Sequence, residues 1–373
     1  MTTEGTPRPI ETPRQPRPPR VSRRMMALLL VPIIVASVIV VALVYEGDHT
    51  AARSDWAFGM VQLDEANRMG LTGQGVRVGI VDTGIDASHP SLAGAHIVAW
   101  RDLVGGRPDP YDDEGHGTAM ASIIAGRPPL MGGVPDVELV IVKVIDAAGD
   151  SDDTLIADGI DFCLDPNGDG DYADGADIIS LSLGGKGDRI KDVIASKTRD
   201  AINEAVSSGV LVVVAAGNDG GPGDDGDVSS PGWIPEVVCV GAVDRNGNVA
   251  SFSSSGRNDF VRHDPNIKPE VVAPGVDIST AYPDGRYAKG SGTSQATAFA
   301  SAALAAALGA HPEWQHDGSR GGDHAAVLTI KGLLMDTSKK VTGQTTPHDD
   351  RAGYGIIQAV ALERALSAAA AAS

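Results

Sequence analysis

The sequence predicts an α/β fold in which a central, mostly parallel sheet is flanked by helices. Three observations predict it. Five short runs are almost continuously apolar, as strands buried on both faces must be; helical stretches fall between or after them; and Gly-rich turns separate the two, drawing on 46 glycines in 373 residues. With 42% hydrophobic and 21% charged residues the composition is that of a globular protein, and neither a fibre nor a wholly disordered chain fits it.

Residues 1 to 24 are rich in Pro, Arg and Thr and have no apolar periodicity, which predicts a disordered basic tail. Residues 25 to 44, MMALLLVPIIVASVIVVALV, carry no charge. At about 1.5 Å per residue such a run spans about 30 Å, enough to cross a hydrocarbon core. It is longer than the core of a secretory signal, and Val44-Tyr45-Glu46 makes a poor cleavage site, so the reading adopted is an uncleaved transmembrane helix. The six arginines of the tail then hold the N-terminus in the cytoplasm and leave everything after residue 44 outside. A signal cleaved late, near Thr50-Ala51-Ala52, stays open as the alternative and would release a secreted protein. Residues 45 to 55 read as a linker, 56 to 367 as the main domain, and 368 to 373 as the frayed end of an Ala-rich last helix.

Within the domain the expected strands are VRVGIVD (76 to 82), VELVIVKVI (137 to 145), ADIISLSL (176 to 183), VLVVVAAG (210 to 217) and EVVCVGAV (236 to 243). Helices are expected at 152 to 163, 190 to 208 and 293 to 309. Six arginines against Glu4 and Glu11 give the tail a charge of +4 in a chain whose total is −19, so the remainder carries −23. A surface that acidic repels the phosphate backbone and excludes a nucleic-acid partner. Cys163 and Cys239 are too few for a disulfide scaffold and read as two separate buried thiols.

Three separated segments carry the chemistry. Asp82 ends a strand and is followed by Thr83-Gly84, at the carboxyl edge where open α/β sheets build their sites. His116 lies in DDEGHGTAMASIIAG, with glycines on either side and a helix-like run of small and apolar residues after it. Ser294 lies in GSGTSQATAFASAALAAAL, where a Gly-rich turn enters a helix of small side chains. Each alone has a structural explanation; a serine at a helix N-terminus is ordinarily a cap. Their chain order, each in a Gly-marked turn beside a buried element, shifts the balance toward an Asp-His-Ser catalytic set.

With these residues in view the chain resembles the subtilisin-like serine proteases over roughly residues 56 to 367. The matching segments are VGIVDTGID around Asp82, GHGT around His116, SLSLGG (180 to 185), AAGN (215 to 218), VVAPG (271 to 275) and GTSQAT around Ser294. The resemblance implies a subtilisin-like three-layer fold and an endopeptidase in which Ser294 is the nucleophile, His116 the base and Asp82 its orienting partner. It implies too that Asn218 donates to the oxyanion. Substrate, an extended peptide or unfolded protein, would add as a strand along Ser182, Leu183, Gly184 and Gly185 and along Ala215, Ala216 and Gly217. Gly149 to Asp153 would form the opposite rim, where Asp150, Asp152 and Asp153 suggest a mild preference for basic substrate residues. The catalytic domain is expected to be a monomer.

Residues 165 to 177, DPNGDGDYADGAD, place Asp165, Asn167, Asp169 and Asp171 on alternate positions with Gly170 at the turn, which is the first half of an EF-hand-like calcium loop. Position twelve is Ala176 in place of a bidentate Glu, so Asp174 or Asp177 would have to complete the shell, and a structural Ca2+ is expected there. Where relatives usually carry Met and Pro near the nucleophile, this chain has Gln295 and Ala298; Ala119 stands for a His after GHGT, and Ser91 for an acidic calcium ligand. Relatives commonly carry a folding propeptide as well, and residues 45 to 55 leave no room for one, so folding without it is expected.

Overall fold

The computed structural model describes residues 52–184, 196–222, 224, 226–257 and 262–372. The expected membrane helix at 25 to 44 lies outside them, as do Gly185 and the first part of the helix expected at 190 to 208. Among the described residues no helix is long and apolar enough to cross a membrane.

Seven parallel strands form one sheet: β1 Arg77–Asp82, β2 His96–Asp102, β3 Glu138–Lys143, β4 Ile178–Leu181, β5 Leu211–Ala215, β6 Val238–Val243 and β7 Val271–Pro274, in the order β2-β3-β1-β4-β5-β6-β7. The interior strands are buried along their length because Val, Ile and Leu face helices on both sides. Each such side chain contributes roughly 1.5 to 3 kcal/mol on burial. The chain winds one way through β2 and β3 and the other way from β4 onward, so the crossovers diverge at β1 and open a crevice at the carboxyl ends there. Asp82 is in register with Lys143 of β3, at the lip of that crevice.

The helices are α1 Asp55–Met60, α2 Leu63–Arg68, α3 His116–Ala125, α4 Asp153–Leu164, α5 Lys197–Ser207, α6 Thr293–Leu308, α7 His324–Asp336 and α8 Ala359–Ala371. Helix α6 is the axis of the core: fifteen of its sixteen residues are buried. Its run of alanines allows that, since small side chains let strands and helices approach from every side. A two-stranded antiparallel hairpin, β8 Ile278–Tyr282 and β9 Arg286–Gly290, stands apart from the sheet.

All five expected strands form. Sequence patterning missed β2, whose exposed and half-buried positions break the apolar run, β7, which is only four residues long, and the hairpin. The expected linker also ends earlier than residue 55. Arg53 donates from Nε to Met131 O (2.6 Å), and Ser54 is buried with its Oγ accepting from Ser279 N (3.0 Å), so the packed domain already includes them. At the other end, the stretch expected to fray is helical through Ala371, where Arg320 Nη2 donates to the Ala370 carbonyl (2.9 Å).

Candidate active site

The carboxylate of Asp82 is fully buried at the end of β1. Its Oδ1 accepts from Thr83 N (2.7 Å), and His116 Nδ1 lies 2.8 Å from Oδ1 and 3.0 Å from Oδ2. That contact needs α3 to begin hard against the loop after Asp82. Gly117 makes it possible: a Cβ there would lie 2.2 Å from Gly84 O. The loop before His116 is tied inward as well. Asp112 Oδ1 accepts from Glu114 N and Gly115 N, while its Oδ2 accepts from Thr118 N and Oγ1. Lys143, fully buried, donates to Thr83 O, Ile145 O and Asp113 Oδ1, each at 2.7 Å.

Burial works against a charged imidazole at His116, but the hydrogen-bonded Asp82 carboxylate, with Glu114 and Asp112 close by, outweighs it and pushes the pKa up to about 9. The Asp82 carboxylate thus favours the protonated ring. Burial in turn lifts the Glu114 carboxyl above its usual range, against the pull of His116.

Ser294 is the second residue of α6 and the one residue of that helix that is not buried. Its hydroxyl donates to Ser182 O (3.0 Å). The hydrogen bond that a serine-histidine couple leads one to expect is thus not the one formed here. Asn218 accepts at Oδ1 from Thr293 N (2.8 Å) and Thr293 Oγ1 (3.0 Å), which leaves its amide nitrogen outside these two bonds.

His116, Ser294 and Asn218 line one cleft, with a cavity of about 100 Å³. Of the expected substrate contacts Ser182, Leu183, Gly184, Ala215 and Gly217 line it, while Gly185 lies outside the described residues. Ala216 does not. It is fully buried with Val228, Cys239 and Trp233, because successive residues of an extended segment face opposite ways.

The acidic rim also needs correcting. Gly149 and Ser151 line the cleft, but Asp152 caps α4 by accepting from Thr154 N and Leu155 N, and Asp153 accepts from Lys197 N, Thr198 N and Thr198 Oγ1. Among the described residues no Asp or Glu lines the cleft, so the expected preference for basic residues loses its basis. Sequence reading missed Thr83, Ile145, Ile156, Thr198, Ser229, Ser230, Pro231 and Thr293, which the fold brings in from strand ends, helices and a loop. The signal for the serines was a polar SSPG turn, which by itself says nothing of a cleft.

In the acidic loop, Asp165 Oδ1 accepts from Gly168 N (2.7 Å) and Oδ2 from Gly170 N (2.8 Å), and Asn167, Asp169 and Asp171 each accept from the backbone two residues on. These turns hold the side-chain oxygens on one short stretch, and Asp174 Oδ1 is buried without a hydrogen-bond partner. Among the described residues, however, the acidic group whose ligand atoms approach within 4.8 Å of one another is Asp177, His316 and Asp317, and the carboxylates of this loop do not converge in that way. Asp177 is used otherwise: it pairs with Arg77 N and with His316 Nδ1 (3.0 Å). His316 Nε2 reaches Tyr172 O (2.6 Å), which anchors the end of the loop. Cys163 and Cys239 are both buried and unpaired, and burial pushes both thiols up in pKa, so neither is a reactive thiolate.

A model of the subtilase family matches residues 73–355. Subtilisin Savinase of Lederbergia lenta is 35% identical over 312 residues, covering 83% of this chain and 98% of that protein. Subtilisin E of Bacillus subtilis (strain 168) is 33% identical over 277 residues, covering 72% of this chain and 66% of that protein. An alkaline protease of Shouchella clausii is 35% identical over 312 residues, covering 83% of this chain and 70% of its own length. The chain thus spans slightly less than two thirds of some relatives, 66% of subtilisin E among them.

Proposed function

This chain belongs to the subtilase family, and from that premise we propose that it is a serine endopeptidase acting outside the cytoplasm on extended peptides or unfolded proteins. Ser294 Oγ attacks the scissile carbonyl carbon while His116, once neutral, takes the hydroxyl proton at Nε2. Asp82 fixes the tautomer and stabilises the imidazolium that forms. Asn218 Nδ2 and the Ser294 backbone N–H donate to the oxyanion. The C–N bond breaks as His116 passes the proton to the leaving amine, and water then hydrolyses the acyl-enzyme. The buried Asp82–His116 pair, opening on the cleft that Ser294 and Asn218 also line, carries this reading.

Two further parts go with it. The uncharged run at 25 to 44 supports a single-pass anchor with the catalytic domain on the outer side, secretion after cleavage being the alternative. Asp165, Asn167, Asp169, Asp171 and Asp174 would hold a Ca2+ that offsets the charge of their loop and stiffens it.

One preparation of the full chain tests all three parts. It should hydrolyse casein, lose that activity in Ser294→Ala, stay with membranes through an alkaline carbonate wash, and melt at a higher temperature in Ca2+ than in EGTA. Unimpaired hydrolysis by Ser294→Ala removes the mechanism; a chain in the soluble fraction, shortened by about fifty residues, replaces the anchor with secretion; identical melting removes the ion.

A further inference from the structure

We propose that Tyr282 is a positioning residue for His116: by gripping the backbone at Glu114 and Gly115, it fixes the direction from which the imidazole addresses Ser294. The proposal rests on the serine-endopeptidase reading above.

Tyr282 ends β8, on the hairpin that stands outside the sheet. Its hydroxyl donates to the Glu114 carbonyl at 2.7 Å. Its ring presses on Gly115, the residue directly before His116: a Cβ on Gly115 would lie 2.5 Å from Tyr282 Cε2 and 2.8 Å from Cζ. Gly115 has φ +112°, a conformation that also favours glycine, so the ring and the glycine fit each other doubly. The Arg286 guanidinium sits 4.7 Å from the ring centroid and holds its tilt.

The hairpin is itself fastened to the neighbourhood it braces. Ala281 N donates to Ser122 Oγ within α3 (3.0 Å), Asp284 N to Asp86 Oδ2 (3.0 Å), and His89 Nε2 meets Arg286 O (2.8 Å). Asp112 and Lys143 secure the inner side of the same loop, through its N–H groups and Asp113. Tyr282 secures the outer side, through a carbonyl. Burial, with the Glu114 charge beside it, raises the phenol above its usual range, so it remains a donor across the pH range in which the imidazole changes state.

Tyr282 is not among the residues that line the cleft, which separates positioning from substrate contact. Losing its grip should slow chemistry and leave ground-state binding alone, and a misplacement near 1 Å costs about 100-fold. The test compares the full-length wild type with Tyr282→Phe and Tyr282→Leu, reading kcat and KM on a peptide, the second-order rate of fluorophosphonate labelling, and the low-field proton resonance of the Asp82–His116 hydrogen bond.

Tyr282→Phe should lose about tenfold in kcat and labelling rate, and Tyr282→Leu about 100-fold, with KM within about twofold, the resonance shifted, and the melting temperature of Tyr282→Phe unchanged. Should Tyr282→Leu fail to fold, Tyr282→Phe alone decides. A Tyr282→Phe enzyme within twofold of wild type, or one whose entire loss lies in KM, overturns the proposal while the protease reading stands. A wild type that does not label removes both.

Discussion

Two networks of buried charge in this molecule are built from similar parts and do opposite things. Beside β7, Lys268, Glu270 and Lys331 are each fully buried. Both ammonium groups lie 2.7 Å from Glu270 Oε1; Lys268 also donates to Val237 O, and Lys331 to Pro235 O and Asn266 Oδ1. Glu270 Oε2 takes Cys239 N (2.8 Å). None of the three lines the cleft. At the ends of β1 and β3, Asp82, His116, Asp112, Asp113 and Lys143 are tied just as closely on their inner side, yet the imidazole, Asn218 and Ser294 open on a cleft. Burial holds the Lys331 pKa down to about 8 against the pull of Glu270, whereas at His116 the carboxylates win and the pKa rises. A buried charge shut away from any cleft is structural, and one that opens on a cleft is available for chemistry.

The contrast is sharpest if each network is broken and the other kept. Glu270→Gln removes the carboxylate that two buried ammonium groups share and should cost about 3 to 5 kcal/mol of folding stability, with activity per folded molecule unchanged. Denaturant unfolding and active-site titration together check this; a matching fall in kcat would erase the distinction. Asn218→Ala should do the reverse, lowering kcat about 100- to 1,000-fold, roughly 2.7 to 4 kcal/mol in the barrier, with little change in stability. Turnover within tenfold of wild type would remove Asn218 from the oxyanion site.

The smallest effect is graded with pH. Folded His116 holds its proton more tightly than an unfolded histidine, so its contribution to stability is complete below about pH 6.5 and is lost as pH rises through about 9. Activity needs the neutral ring and should climb across that same window, close to tenfold per pH unit at its foot. A kcat/KM profile already flat at pH 7 would show that the carboxylates do not hold the proton as described.

Much of the fold was legible because a parallel sheet buried on both faces writes itself as continuous apolar runs, and β1, β3, β4, β5 and β6 all read that way. The half-exposed β2 and the hairpin carry no such pattern. At the site, the segments bearing Asp82, His116 and Ser294 were found from sequence, since tight turns there demand glycine, and Asn218 was found through the resemblance to the subtilisin-like proteases. Thr293, which orients Asn218, and Tyr282, 166 residues from His116 in the chain, enter only through three-dimensional packing. Asp152 and Asp153 misled for a related reason: sequence displays their charge but not the helix N-termini that consume it.

Reacting the full chain with a fluorophosphonate at pH 9 and locating the adduct by peptide mass spectrometry tests the central claim most directly. A single adduct on Ser294, lost in Ser294→Ala and slowed by orders of magnitude in Asp82→Asn, is the predicted result. An unmodified Ser294, or labelling indifferent to Asp82, would contradict it.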